Sequence, residues 1–288
     1  MSDRVEVRKT YKLFVGGAFP RSESGRTYEV TSSDGTFLAN AAKGSRKDGR
    51  DAVLAARKGF AAWSAATAYN RGQVLYRVAE VMEGRSAQFT SDIQEAEGVD
   101  AATAARQVEA AIDRWVWYAG WTDKLAQVLG SANQVAGPYF NFSVPEPTGV
   151  VAAVAPQESS LLGLVSVIAP IVATGNAVIV IASTGRPIPA ITLTEALATS
   201  DVPPGTINVL TGDSAEIMPW LASHADVNAI DLTGIADANL AIALEQAAAG
   251  TVKRVRGPEL DTDWYVTPTL SRLRSLVETK TVWHPMGT

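Results

Sequence analysis

Apolar residues in the second half of the chain follow two alternating patterns, which together predict an α/β fold. Short continuous apolar runs, such as 150–155 and 177–182, are typical of strands buried on both faces. A segment with helical spacing, 160–175, lies between them. Further strands are predicted within 205–212 and 227–234, and further helices at 189–200, near 214–224 and at 236–250. Buried strands that alternate with helices predict a Rossmann-like parallel sheet with helices on both faces.

The first 130 residues are predicted to be mainly helical. An alternating segment around Gly16–Gly17 predicts an N-terminal β-hairpin. Amphipathic helices follow at 47–65 and at 70–85, with Asn70 as the expected cap of the second. A long helix is then predicted from Asp100 to about Val128.

Aromatic residues on this long helix favour a core stripe over an aromatic binding cage. Trp115, Tyr118 and Trp121 are spaced by three, which places them on one helix face. Amphipathic helices need such a face to pack against a core.

Two separated segments predict a small β arm. Residues 131–149 combine extended runs, prolines and the alternating aromatics Phe140 and Phe142, which indicates a β-excursion from the helical layer. Little regular pattern follows Gly250 until 270–285, where a short helix is predicted to lead into a terminal strand.

Composition excludes several classes of function. The net charge of −5 is spread along the 288 residues, which argues against nucleic-acid and anionic-membrane partners, and the basic run 253–257 is too short to change this. The N-terminus has no apolar signal region, and the longest apolar stretch is interrupted by polar residues and Pro170, so a cytoplasmic protein with no membrane span is expected. The only histidines, His224 and His284, have no acids at ligand spacing, so no metal site is expected.

The order of several motifs resembles the aldehyde dehydrogenase superfamily over nearly the whole chain. The motifs include FVGGAFPRSESGRTYEV, PTGVVAAVAP, TGNAVIVI, VPPGTINVLTG, DLTG and ETKTVWHP. The resemblance implies a coenzyme domain, a catalytic domain and an oligomerisation sheet that extends the catalytic sheet of a neighbouring subunit. It also implies aldehyde oxidation with NAD(P) through a thiohemiacetal on cysteine.

In that organisation, the coenzyme-type domain corresponds to residues 1–130 and 150–262. The oligomerisation arm corresponds to residues 131–149 and 276–288. The catalytic domain has no counterpart, because the terminal pattern follows soon after 256–264. Residues 264–270 faintly resemble one strand of the missing region. The catalytic cysteine is missing as well, since the chain contains no cysteine.

The positions that the resemblance assigns to chemistry are altered. Glu158 replaces the asparagine that stabilises the oxyanion, and a solvated turn residue is the favoured interpretation. Ile181, Ala182 and Thr184 stand where a lysine, a proline and a glutamate are expected; the lysine and glutamate bind the adenosine ribose. Arg186 could attract a phosphate, but a surface arginine is favoured.

The phosphate-binding helix start and the general base are altered too. Gly234 is kept, but Ile235 replaces a serine and Asn239 a second glycine, while Asp237 in the first turn is expected to satisfy the helix dipole. Pro258 occupies the position of the general-base glutamate. Glu259 could serve instead only after a one-residue shift.

The leading hypothesis is a catalytically inactive protein that acts as an assembly or regulatory subunit of a full-length aldehyde dehydrogenase relative, docked through the arm. No catalytic residue is assigned, cofactor-binding residues are not identified, and no cofactor is expected beyond weak NAD(P) binding. One alternative is a divergent NAD(P)-dependent oxidoreductase completed by another chain. Another is a decaying reading frame without a selected role.

Overall fold

Three sheets and their surrounding helices make up residues 9–287, the range that the computed structural model describes. In chain order the strands are β1 Thr10–Tyr11, β2 Thr27–Thr31, β3 Phe37–Ala42, β4 Ser131–Asn133, β5 Tyr139–Pro147, β6 Val150–Val154, β7 Ala177–Ile181, β8 Ile207–Leu210, β9 Ala229–Asp231, β10 Arg254–Arg256 and β11 Val277–Pro285. The helices are α1 Arg46–Ala65, α2 Ala68–Glu83, α3 Ser86–Glu97, α4 Ala101–Ala119, α5 Leu125–Leu129, α6 Leu162–Ala173, α7 Ile188–Leu197, α8 Ser214–Ser223, α9 Ala238–Ala249 and α10 Ser271–Ser275. The predicted coenzyme-type domain begins at residue 1, and the predicted oligomerisation arm ends at residue 288. Residues 1–8 and 288 lie outside the described range.

The central sheet is parallel throughout, with the strand order β10-β9-β6-β7-β8. Every residue of β6 and β7 is buried, because helices cover both faces of the sheet. This confirms the predicted Rossmann-like sheet. Strand β10 departs from the prediction, which gives no strand at 254–256. Its Arg-Val-Arg sequence lies at the sheet edge and is largely exposed, so it carries no apolar run.

The order in which strands are added to the sheet changes direction at β6. Strands β7 and β8 follow on one side of β6, and β9 and β10 are then added on its other side. The crevice outside the carboxyl ends of β6 and β9 is therefore the topological switch point, where open α/β sheets bind ligands. The loops 155–161 and 232–237 border this crevice.

Two apolar cores lie on opposite faces of this sheet. Val151 and Ala153 of β6 belong to one core, and the other β6 residues belong to the second. Trp115 and Tyr118 are buried in the first core, and Trp121 packs against it. The predicted packing of these three aromatics against the core is confirmed, although Trp121 lies beyond the end of α4.

The helical layer differs from the prediction at three places. Thr67 caps α2, because its side chain accepts a hydrogen bond from Asn70 N, so the prediction of Asn70 as the cap is wrong. The predicted long helix ends at Ala119, whose oxygen accepts a hydrogen bond from Thr122 Oγ1. Helix α3 is unpredicted.

No helix within residues 9–287 combines the length and apolar content needed to cross a bilayer.

The N-terminal hairpin is only partly as predicted. Gly16 and Gly17 have positive φ angles and form a tight turn, closed by two hydrogen bonds between Val15 and Ala18. The flanking residues do not continue as paired strands, because Phe14 pairs with Val209 of β8 instead. Strand β2 pairs with β3, in a separate sheet of order β1-β3-β2.

The predicted terminal strand joins the predicted β-excursion in one antiparallel sheet, of order β11-β5-β4. The register runs from the pair Val277–Pro147 to the pair Pro285–Tyr139. Phe142 lies opposite Val282 and, on its other side, opposite Ala132, so three apolar side chains lie side by side across the sheet. We refer to β4, β5 and β11 as the arm.

Candidate functional site

A cavity of about 540 Å³ occupies the switch-point crevice. The loops after β6 and β9 line it, together with the segment 259–265 after β10. Glu158, Gly234 and Glu259 all line this cavity, so the structure brings three of the predicted positions together. A second cavity of similar volume, between α2 and the arm, contains none of them.

Gln157 joins the loop after β6 to the loop after β7. Its Oε1 accepts a hydrogen bond from Thr184 N at 3.0 Å, and its main-chain oxygen accepts one from Ser183 Oγ at 2.9 Å. Its Nε2 donates to Ala155 O at 2.8 Å. Both polar ends of the side chain are therefore engaged within the protein, which holds the two loops together.

Glu158 is the solvated turn residue that the sequence predicts, with 89% of its side chain exposed. Arg186 lies 3.1 Å from Glu158 Oε2 and donates to Glu158 O at 2.8 Å. Arg186 is less exposed than a surface arginine, at 28%, because it is held against this turn. At the position that the resemblance assigns to oxyanion stabilisation, a carboxylate therefore stands in place of an amide donor, and its negative charge would repel a developing oxyanion.

The positions that the resemblance assigns to ribose binding are filled by side chains without a free polar group. Ile181 and Ala182 are fully buried. Thr184 Oγ1 donates to Gly212 O at 3.0 Å, which connects the loop after β7 to the loop after β8. These three side chains offer neither an ammonium group nor a carboxylate for a ribose hydroxyl.

The N-terminus of α9 is capped by the protein itself. Asp237 Oδ1 accepts hydrogen bonds from Asn239 N at 2.8 Å and from Leu240 N at 3.3 Å. Ile235 is buried, at 3% exposed. Gly234 has a packing role, because a Cβ atom there would lie 1.9 Å from Ala155 O. The capping carboxylate occupies the N–H groups that an anion would need and also repels it.

Glu259 belongs to a cluster of charged side chains below the crevice. Arg272 donates to Glu259 Oε2 at 2.5 Å and to Asp231 Oδ2 at 3.1 Å, and Arg256 donates to the other oxygen of Glu259. Thr233 Oγ1 donates to Asp231 and accepts from Arg272. Two carboxylates and two guanidinium groups neutralise each other here, so Glu259 is a structural ion-pair partner. Sequence reasoning missed Arg272 and Asp231.

Arg114 of α4 holds the segment after β10 against the domain. It donates to Trp264 O and to Val266 O, and burial lowers the pKa of its guanidinium. The Trp264 ring lies over the Arg272 guanidinium at 5.3 Å. The prediction of a strand within 264–270 is wrong, because these main-chain oxygens bind Arg114 instead of a neighbouring strand, and Pro268 lacks an N–H group.

Neither histidine joins a group of metal ligands. His224 follows α8 and its ring contacts that of Trp220 at 4.6 Å, while His284 is exposed on β11. In the described part of the chain, no three acids or histidines are grouped so that they could hold a metal ion.

Comparison with known proteins matches most of the chain, including the central sheet, to one family. The model of the aldehyde dehydrogenase family matches residues 19–257. The chain belongs to this family. Cytosolic 10-formyltetrahydrofolate dehydrogenase from Pongo abelii is 30% identical over 86% of the chain and 28% of its own length. D-glyceraldehyde dehydrogenase (NADP(+)) from Thermoplasma acidophilum is 28% identical over 85% of the chain and 49% of its own length.

Solved structures share the fold of this family member. HpcC from Thermus thermophilus superposes with a TM-score of 0.82 at 28% identity, over 88% of this chain and 48% of that one. The NAD+ complex of an aldehyde dehydrogenase from Bacillus cereus gives a TM-score of 0.80 at 22% identity, over 86% of this chain and 50% of that one. The chain therefore spans about half the length of these solved structures.

Proposed function

We propose that this chain is a catalytically inactive aldehyde dehydrogenase-like protein, which acts as an assembly or regulatory subunit of a full-length aldehyde dehydrogenase relative. The proposal includes a cytoplasmic location and no cofactor beyond weak NAD(P) binding. One observation carries it. Strand β11 is hydrogen-bonded to β5 along nine residues, and its opposite edge pairs with no strand among residues 9–287.

Inactivity is supported by the residues at the catalytic positions. The chain has no cysteine to form a thiohemiacetal. Pro258 stands at the general-base position, and the neighbouring Glu259 is paired with two arginines. Proline has no group that can take up a proton, so neither the nucleophile nor its base has a replacement at the matched positions.

Docking through the arm is supported by its exposed edge and tip. An unpaired strand edge presents N–H and C=O groups that can pair with a strand of another chain. Aromatic side chains are also exposed at the tip: Phe140 is 50% exposed and Trp283 58%. In the family arrangement that the resemblance implies, this sheet extends the catalytic-domain sheet of a neighbour. Residues 9–287 of a second copy contain no sheet beyond the three described, so we assign the partner as a full-length relative.

Co-expression with a full-length aldehyde dehydrogenase from the same cells tests the proposal. We expect the two chains to elute together in size-exclusion chromatography. Phe140→Glu should abolish co-elution, because it places a charge on the arm, whereas Val252→Glu, at a site 92% exposed outside the arm, should not. Separate elution of the wild-type chains would contradict the assembly role. Reduction of NAD(P) by this purified chain with an aldehyde would contradict its inactivity.

A further inference from the structure

The segment after β10 brings carboxylates to the crevice cavity. Glu158, Glu259, Asp261 and Asp263 line it, whereas no lysine, arginine or histidine of the described range does. Glu158 and Glu259 are already paired with arginines. Asp261 and Asp263 form no salt bridge with any residue in 9–287, so they supply the uncompensated negative charge of the cavity.

Two aromatic rings of the same segment also line the cavity. The Arg272 guanidinium lies over the Trp264 ring, and the Arg106 guanidinium lies 5.7 Å from the centre of the Tyr265 ring. The negative face of an aromatic ring attracts cations. Because Arg272 and Arg106 already lie over these two rings, it is the unpaired carboxylates of the same wall that favour a positively charged ligand over an anionic one.

Gln107 supplies a hydrogen-bond acceptor in the same lining. The residue is only 8% exposed, and its Oε1 is buried without a hydrogen-bond partner. Its Nε2 donates to Glu97 Oε2 at 2.5 Å. Glu97 forms no salt bridge within the described range, and its hydrogen bond polarises the amide, which makes Oε1 a better acceptor. A buried acceptor without a partner is costly, and an N–H donor from a ligand would satisfy it.

We infer that the crevice binds a small organic cation with a primary ammonium group and a short apolar stem. The ammonium group binds between the carboxylates of Asp261 and Asp263 and donates to Gln107 Oε1, while Pro156 and Leu162 contact the stem. A quaternary ammonium ion has the same charge but no N–H group, so it leaves Gln107 unsatisfied. This ligand site is independent of the assembly role, because it lies in the crevice and not on the arm.

Calorimetric titration of the full chain tests the site with n-butylammonium, n-butyltrimethylammonium and butanoate. We expect saturable binding of butylammonium, binding of the trimethyl analogue weaker by about fivefold or more, and no binding of butanoate. If binding of butylammonium does not saturate by about 50 mM, its Kd is well above the millimolar range and the inference is overturned. Equal or tighter binding of the trimethyl analogue would also overturn it.

Substitutions locate the binding site. The double variant Asp261→Asn/Asp263→Asn should weaken butylammonium binding about tenfold, because both charges are removed. Gln107→Met should weaken butylammonium binding and leave that of the trimethyl analogue unchanged. The control Asp51→Asn/Asp123→Asn removes two exposed carboxylates elsewhere and should have no effect. Equal losses in the two double variants would show only a response to net charge and would refute the site. The aspartate positions are exposed, so this comparison holds even if Gln107→Met fails to fold.

Discussion

Arg272 of α10 donates a hydrogen bond at 3.1 Å to Asp231 at the end of β9, across 41 residues of sequence. The side chains are 9% and 2% exposed. Burying either charge alone would cost free energy. The stability of the buried pair depends on its geometry and on additional hydrogen bonds to both side chains. The contact ties the helix that precedes the terminal strand to the parallel sheet.

Replacing Arg272 should therefore destabilise the fold strongly. We expect Arg272→Met to lower the free energy of unfolding by about 3–5 kcal/mol, because Asp231 would be left buried without its partner. Urea denaturation measures the loss. Arg274→Met, at an exposed position of the same helix, should change stability by less than about 0.5 kcal/mol. A similar loss in both variants would show that the buried pair contributes nothing specific.

Gly234 gives a second stability prediction. An alanine Cβ atom there would lie 1.9 Å from Ala155 O, so the loop after β9 must move away from β6. We expect Gly234→Ala to lower the free energy of unfolding by about 1–3 kcal/mol or more. Gly185→Ala is the matched control, since its added Cβ would meet no atom within 4 Å. Thermal unfolding of the two variants compares them directly, and equal midpoints would be the contrary result.

Asp92 makes stability depend on pH. Burial raises the pKa of Asp92 from 3.8 to about 6, although the hydrogen bond from Thr192 opposes the shift. The native state thus binds this proton more tightly than the unfolded chain, and this group's contribution to stability falls as pH rises from about 4 to about 6.

We expect Asp92→Asn to match the wild type near pH 4 and to be more stable by about 3 kcal/mol at pH 7. Urea denaturation across this pH range checks it. Glu195 acts in the opposite sense, since Lys9 and Arg85 lower its pKa despite its burial, but it is present in both proteins and largely cancels in the comparison. A stability difference that does not grow with pH would rule out the assigned role of Asp92.

Dinucleotide binding should be weak. Asp237 already occupies the N–H groups of α9 with a negative charge, and Ile181 offers no donor to a ribose. We expect no saturation in calorimetric titrations with NAD+ or NADP+ up to about 1 mM. Saturable binding in the micromolar range would instead favour the oxidoreductase alternative.

The parallel sheet could be predicted from the sequence because its inner strands are continuously apolar. Val150–Val154 and Ala177–Ile181 have no polar residue, which is characteristic of a strand covered on both faces. Edge strand β10 has two arginines among its three residues and carries no such pattern. Helix α3 was missed because its polar composition hides a narrow apolar face, formed by Phe89, Ile93 and Ala96, and because no side chain caps its start.

The candidate site could be predicted only in part. The loops after β6 and β9 follow from strand order, which places Glu158 and Gly234 at one crevice. The partner of Asp231 does not follow, because Arg272 reaches it only through the irregular path of residues 257–270. Gln107 escapes prediction for a related reason: it comes from α4, which carries no motif that points to the crevice.

The pairing of β5 with β11 also constrains how the protein is made. Glu146 and Lys280, which form a salt bridge across this pair, are 134 residues apart. At a synthesis rate of about 5–20 residues per second, β5 leaves the ribosome roughly 7–27 s before its partner strand does. During that interval the nascent chain exposes Phe140 and Phe142 without β11. We therefore expect the newly made protein to need chaperone protection, or early capture by its partner, until the terminal strand is translated.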